Sequence, residues 1–174
     1  SARVPGVLKY TVEGLLVFSA ASVAVVQSGD RQVGFFGRHT AAIAALTMDV
    51  ARQLVATVQE GRNGEASPIL IWEARHCELQ KTLFRSTGCE EGVLSLAFSP
   101  AASLLVVLER DALHTVSVWD WRAGVAISSA TALLQKVDGR VLGLCCCPTH
   151  ETNETVRFVT YGVKHMRFWF FAPS

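Results

Sequence analysis

Charge of one sign is the first thing this sequence lacks. Sixteen Lys and Arg residues face fifteen Asp and Glu, a formal net charge of +1 over 174 residues. The basic residues are scattered singly, so the chain has no electrostatic footprint for nucleic acid or another polyanion. Long apolar runs are missing too. The longest, Leu15 to Val26, is broken by Ser19 and Ser22 and falls short of the roughly 18–20 residues a membrane-spanning helix needs. No positively charged stretch followed by an apolar one opens the chain, so no signal peptide is read. GxGxxG, Walker, GxSxG and HExxH motifs are absent, and the carboxylates show no pairing suited to acid–base work. An enzyme is not expected, and no catalytic, cofactor-binding or metal-ligating residue is assigned.

Cysteine is present in an unhelpful arrangement. Cys77 and Cys89 stand alone and Cys145, Cys146 and Cys147 are adjacent, which suits no disulfide framework and points to a reducing, cytoplasmic setting. Zinc needs ligands spaced to converge, whereas neighbouring strand residues point to opposite faces. The "CCCPTH" segment therefore reads as small apolar side chains packing in a buried strand. The sequon at Asn153 carries no weight in a cytosolic chain.

Half of the residues are hydrophobic and only 18% are charged, which excludes a disordered chain and leaves enough apolar surface for a substantial core. Order appears when the tryptophans are aligned. "ILIWE", "VSVWD" and "MRFWF" each place a Trp (Trp72, Trp119, Trp169) at the end of an alternating run. The spacings, roughly 47 and 50 residues, sit slightly above the 40–45 of a four-stranded propeller blade. Before each Trp come two further apolar runs: "AAIAALTMD" and "LVATVQ", "GVLSLAFSP" and "LLVVLE", "RVLGLCCCP" and "VRFVTYG". Short alternating strands separated by Gly, Pro, Asn and Asp indicate an all-β fold. One segment argues for a helix, since Ile43, Leu46, Val50 and Leu54 recur at helical spacing in an alanine-rich stretch. The repeat register outweighs that spacing, because the corresponding runs in the other copies are strand-like. "VAISSATALL" carries the same ambiguity. The N-terminal copy lacks a Trp, with Val25 or Val26 where one is expected.

These residues carry a resemblance. "GRHT…ATVQ…PILIWE", "GVLSLAFS…HTVSVWDW" and "VTYGVKHMRFW" together resemble a WD-repeat β-propeller, most closely the N-terminal propeller of the echinoderm microtubule-associated-protein-like family. The likeness runs from about Gly14 to Phe171. It departs from the family pattern at Arg38, which interrupts a Gly-His pair, at Val58, and at Glu73, which replaces Asp. The expected architecture is about three and a half to four blades of a larger, incomplete ring. Residues 1–39 form a partial first blade or lead-in, 40–87 and 88–136 two blades, and 137–174 a blade lacking its outer strand.

Within such blades Trp72, Trp119 and Trp169 are expected to fill the space between neighbours, each indole N–H needing a buried partner. Thr57 and Thr160 on adjacent strands, and His39 in a connecting turn, are the expected partners. His114 and His165 read as structural turn residues. The turn "EGRNGEASP" (Glu60 to Pro68), with Arg62, Asn63 and Glu65, is the first candidate for partner contact. "LERDALH" and "PTHETNET" are weaker ones.

The resemblance implies a non-catalytic scaffold of a microtubule-associated protein, bound to tubulin or axonemal and cytoskeletal proteins in the cytoplasm. The alternative is a general protein-interaction scaffold in another assembly. Neither nucleic acid nor membrane is an expected partner. A chain that opens on Ser1 with a mean hydropathy of +0.31 is expected to be part of a larger chain, and insoluble when expressed alone.

Overall fold

A computed structural model describes residues 8–61, 67–85, 91–100, 102–133, 140–148 and 155–172. Every regular element among them is a β-strand. The strands form four antiparallel sheets, shared between two compact units, Ser1–Gly92 and Val93–Ser174.

The first unit holds two four-stranded meanders. One comprises β1 (Lys9–Tyr10), β2 (Leu15–Ala20), β3 (Val23–Ser28) and β4 (Arg31–Phe36) in that order. The other comprises β5 (Ile43–Asp49), β6 (Leu54–Gln59), β7 (Ile69–Glu73) and β8 (Glu78–Leu83). The alanine-rich stretch is therefore a hairpin rather than a helix, and two causes can be named. Asp49 breaks it, its Oδ1 accepting from the Arg52 amide at 2.8 Å while Gln53 turns through a φ of 56°. β5 is also buried along nearly its whole length, so both of its faces gain from apolar contact, which outweighs alanine's modest helix preference. Val17, Ala24, Val26 and Phe36 of the first sheet share one core with Leu46, Met48, Val55 and Trp72 of the second.

The second unit holds β9 (Val93–Phe98), β10 (Leu104–Glu109), β11 (Thr115–Asp120) and β12 (Val125–Thr131) as a third meander. Its other sheet has three strands, β13 (Arg140–Cys146), β14 (Val156–Val163) and β15 (His165–Phe171), in the order β13-β14-β15. Val106, Val116 and Val118 pack with Val141, Leu144, Val156 and Phe158 in its core. Gly162 on β14 is obligatory where it stands, because an added Cβ would overlap the Arg140 carbonyl oxygen and lie 2.8 Å from the Val141 Cα.

The same local irregularity recurs in two sheets. The pairing of β7 with β8 shifts between Ile71 and Trp72, and that of β11 with β12 between Val118 and Trp119. A bulge at the tryptophan re-aims its side chain and raises the local twist.

Candidate functional site

The three strand-ending tryptophans organise the interior polar chemistry, each in its own way. Trp72 is fully buried and stacks on Phe36, ring centroids 4.7 Å apart and planes within 2°. Its Nε1 donates to Thr57 Oγ1 at 3.1 Å, and that hydroxyl lies 2.8 Å from His39 Nε2. On the far side of the imidazole, Nδ1 faces Gln59 Oε1 at 3.3 Å. The Gln59 amide is oriented by Thr40, whose backbone N–H donates to Oε1 at 2.9 Å while Nε2 donates to Thr40 Oγ1 at 3.0 Å. With Oε1 fixed as the acceptor, His39 must carry its proton on Nδ1, leaving Nε2 to accept the Thr57 hydroxyl. A one-way relay follows, from indole N–H to hydroxyl, hydroxyl to imidazole and imidazole to amide. Burial holds His39 below the ordinary histidine pKa, with the Gln59 bond opposing it, in keeping with a neutral ring.

In the third sheet the relay is shorter. Trp119 pairs with Leu105 as Trp72 pairs with Val55, so Val107 occupies the place of Thr57 two residues on. A valine offers no hydroxyl there. Trp119 Nε1 donates instead to Ser117 Oγ at 2.8 Å, two residues back along its own strand. Ser117 was not among the residues expected from sequence; its part follows from the strand pairing that sets Val107 in the place of Thr57.

The last sheet restores the hydroxyl and changes the histidine. Trp169 pairs with Phe158 and stacks on it at 5.6 Å, and its Nε1 donates to Thr160 Oγ1 at 2.9 Å. The second partner of that hydroxyl is His165 Nε2 at 2.9 Å. His165 arises from the tryptophan's own strand, whereas His39 precedes β5. Arg167 lies over the Trp169 ring at 4.4 Å and donates to the Thr131 carbonyl at 3.0 Å. Burial, then the nearby Arg167 and His114, hold His165 below the ordinary histidine pKa. His114 and His165 are thus not equivalent: His114 sits in a turn at φ 50° with Nδ1 3.2 Å from the Glu109 carbonyl oxygen.

The acid that follows Trp72 and Trp119, though not Trp169, has a turn-forming role. Asp120 Oδ1 accepts from the Ala123 amide at 2.9 Å. Glu73 does the same with its longer reach, taking the Arg75 amide at 2.7 Å and the His76 amide at 2.8 Å. Although burial works to raise it, those backbone bonds and the His76 ring hold the Glu73 carboxyl below the usual range. Four residues past each acid the backbone is left-handed, at Cys77 (φ 57°) and Gly124 (φ 81°). Trp121, the second indole of "VWDW", donates to the Ala102 carbonyl at 2.7 Å beneath Arg122.

Arg62, Asn63 and Glu65 lie outside the described residues, as do His150 and Asn153. The neck of that loop is described. Ser67 Oγ donates to the Glu60 carbonyl at 3.1 Å, and the buried Arg85 donates to the Ser67 carbonyl through Nε and Nη2 at 3.1 and 3.0 Å. The cysteines diverge from the expected buried run: Cys145 is exposed, while burial pushes the neighbouring Cys146 thiol up to about 12. Among the described residues no three His, Cys, Asp or Glu side chains gather as a metal site. Nor, among them, is any helix long and apolar enough to cross a membrane.

All-β meanders of four antiparallel strands, with a Trp on the third strand bonded to an interior hydroxyl, are blades of the WD-repeat β-propeller class, here an incomplete set. No protein-family model matches the chain. Over 92% of its length it is similar, at 27% identity, to "Echinoderm microtubule-associated protein-like elp-1" of Caenorhabditis elegans. The chain spans 20% of that relative's length.

Proposed function

We propose that the chain is a non-catalytic WD-repeat scaffold of a microtubule-associated protein, engaging tubulin or axonemal and other cytoskeletal proteins in the cytoplasm. The observation that carries this reading is the similarity to the elp-1 protein, which extends over nearly the whole chain. The interior chemistry supports the scaffold half. The hydroxyl, imidazole and indole groups are spent on one another inside the sheets, and burial holds His39 below the ordinary histidine pKa. In this reading Trp72, Trp119, Trp169, Thr57, Thr160 and His39 hold the blades together, and Arg62, Asn63 and Glu65 lie on a contact loop whose neck Arg85 anchors. A net charge of +1 makes binding by bulk attraction to an acidic lattice a poor account, so recognition rests on shape and local contacts. Co-sedimentation of the full-length protein with microtubules assembled from purified tubulin tests it. Saturable pelleting that survives 150 mM salt is expected. Recovery in the supernatant at the level of a tubulin-free control counts against the microtubule assignment and leaves a scaffold for another assembly.

A further inference from the structure

Thr57 and Thr160 hold their tryptophans alike but differ in where their own hydrogen can go. Each hydroxyl oxygen receives an indole N–H, at 3.1 and 2.9 Å, and each lies close to a histidine Nε2, at 2.8 and 2.9 Å. Thr57 has a further acceptor in the Leu70 carbonyl at 3.4 Å. Thr160 is fully buried, and among the described residues the His165 ring is the one acceptor its hydroxyl has. With the indole N–H entering the oxygen, Thr160 gives its single hydrogen to Nε2, which accepts only in a neutral ring. Protonation turns that nitrogen into a donor. Two N–H groups then point at one oxygen, and a buried hydroxyl hydrogen is left without an acceptor.

The surroundings add charge of the same sign. Arg167, two residues along β15 and on the same face, reaches across to the third sheet. Its Nη1 lies 3.0 Å from the Thr131 carbonyl oxygen and 3.5 Å from that of Ala132. His114 closes the same corner, its carbonyl receiving the Ala132 amide at 3.0 Å. Among the described residues, Arg167 and His114 are the titratable groups whose fields reach His165. Lys164, next in the chain, is exposed and also basic. β14 brings Thr160 and Gly162 beside the ring, neither of them charged. Of the acids at the β10–β11 turn, Asp111 is engaged by the Thr115 amide and hydroxyl at 2.6 Å each. Glu109 is buried and meets His114 Nδ1 through its backbone carbonyl at 3.2 Å.

We propose that Thr160, His165 and Arg167 form a proton-sensitive latch between the third and last sheets, opened by acid while the rest of the chain stays folded. In the closed state the neutral ring takes the Thr160 hydrogen, and Arg167 grips the end of β12 through the Thr131 and Ala132 carbonyls. Proton uptake by His165 breaks its bond to Thr160 and sets a second positive charge two residues from Arg167. The half-buried ring turns to water, Arg167 releases the carbonyls, and residues 131–133 come free of β15. His165 sits below the ordinary value of 6.5, so the latch is closed above about pH 6.5 and opens as pH falls through the folded-state value. The relay at Trp72 lacks this weak point, because the Leu70 carbonyl can take the Thr57 hydrogen. The latch does not depend on which partner the scaffold binds.

Hydrogen exchange of the full-length protein tests it, read by mass spectrometry of peptic peptides from pH 8 to 5 and corrected for the intrinsic rate at each pH. Expected is a loss of protection of at least about tenfold at Ala132, Leu133 and the start of β15 toward the acid end, with β6 and β10 unchanged. His165→Gln, whose amide accepts a hydrogen bond and does not titrate, is expected to keep its protection across the range. Arg167→Met is expected to show low protection at Ala132 and Leu133 already at pH 8. A wild-type pH response in His165→Gln overturns the latch, as does wild-type protection and pH response in Arg167→Met. Equal loss of protection in every sheet makes the opening global and overturns it too, and so does unchanged protection at Ala132 and Leu133 down to pH 5.

Discussion

Thr57 and Trp72, fifteen residues apart on neighbouring strands, meet through a 3.1 Å hydrogen bond, and the hydroxyl that receives the indole lies 2.8 Å from His39. One buried oxygen thus settles two other polar groups. Thr57→Val keeps the shape and removes that oxygen, stranding the Trp72 N–H and changing the partner of His39 Nε2. An unsatisfied buried donor costs about 1–3 kcal/mol, so a loss of that size is expected in urea unfolding. Val107→Thr, placing a hydroxyl near the already satisfied Trp119, is expected to change stability far less.

The two histidines bonded to threonine set a direction for pH. His39 and His165 both sit below the ordinary value of 6.5 in the folded chain. As pH falls through about 6.5 the unfolded chain takes up these protons first, so it binds more of them and folding is disfavoured. The stability they contribute is complete above about pH 6.5 and is lost as pH falls through the folded-state values. Urea midpoints measured from pH 8 to 5 are expected to fall toward the acid end. The slope should be shallower in His39→Gln, whose amide does not titrate.

Gly162 tests the close approach of β13 and β14. Its Cβ would overlap the Arg140 carbonyl oxygen, and backbone cannot swing aside as a side chain does. Gly162→Ala is expected to cost about 1–3 kcal/mol or more. Gly143→Ala meets only the Tyr161 side chain, whose OH lies 2.7 Å away, and should cost less because that ring can rotate. Thermal unfolding of the two variants side by side gives the comparison.

The turn acids give a fourth test. Glu73→Ala removes the acceptor for the Arg75 and His76 amides, and Asp120→Ala the acceptor for the Ala123 amide. Losses of about 0.5–1.5 kcal/mol each are expected from the bonds removed. Neither change should alter microtubule pelleting once the protein is held well below its melting temperature.

The alternating runs and the recurring Trp made the sheets legible, because a buried indole at the end of a period-two strand leaves few other folds open. Thr57 and Thr160 were legible for the same reason: they are the hydroxyls near the Trp on the adjacent strand. Ser117 was not, since its role follows from Val107 failing to supply an oxygen, and that failure shows only once the strands are paired. His165 stands at the turn entering its strand, as read, but its bond to Thr160 shows only once β14 and β15 are paired. The exposed Cys145 was hidden by the irregular pairing of β13, where the register shifts between Val141 and Gly143. The helical spacing of Ile43, Leu46, Val50 and Leu54 was outweighed by the repeat register, and the Asp49 turn is what cuts it.

The changing supplier of each indole's partner bears on how such chains are detected. In two sheets the oxygen comes from the strand before the indole's, with the imidazole supplied in one by a turn ahead of the sheet and in the other by the indole's own strand; in a third a serine alone suffices. What persists is a hydroxyl oxygen close to each indole nitrogen, at 3.1, 2.8 and 2.9 Å. A pattern written in letters alone misses Ser117, which stands on the indole's own strand. A search keyed to an acceptor about 3 Å from each strand-ending indole nitrogen would gather the three sheets together.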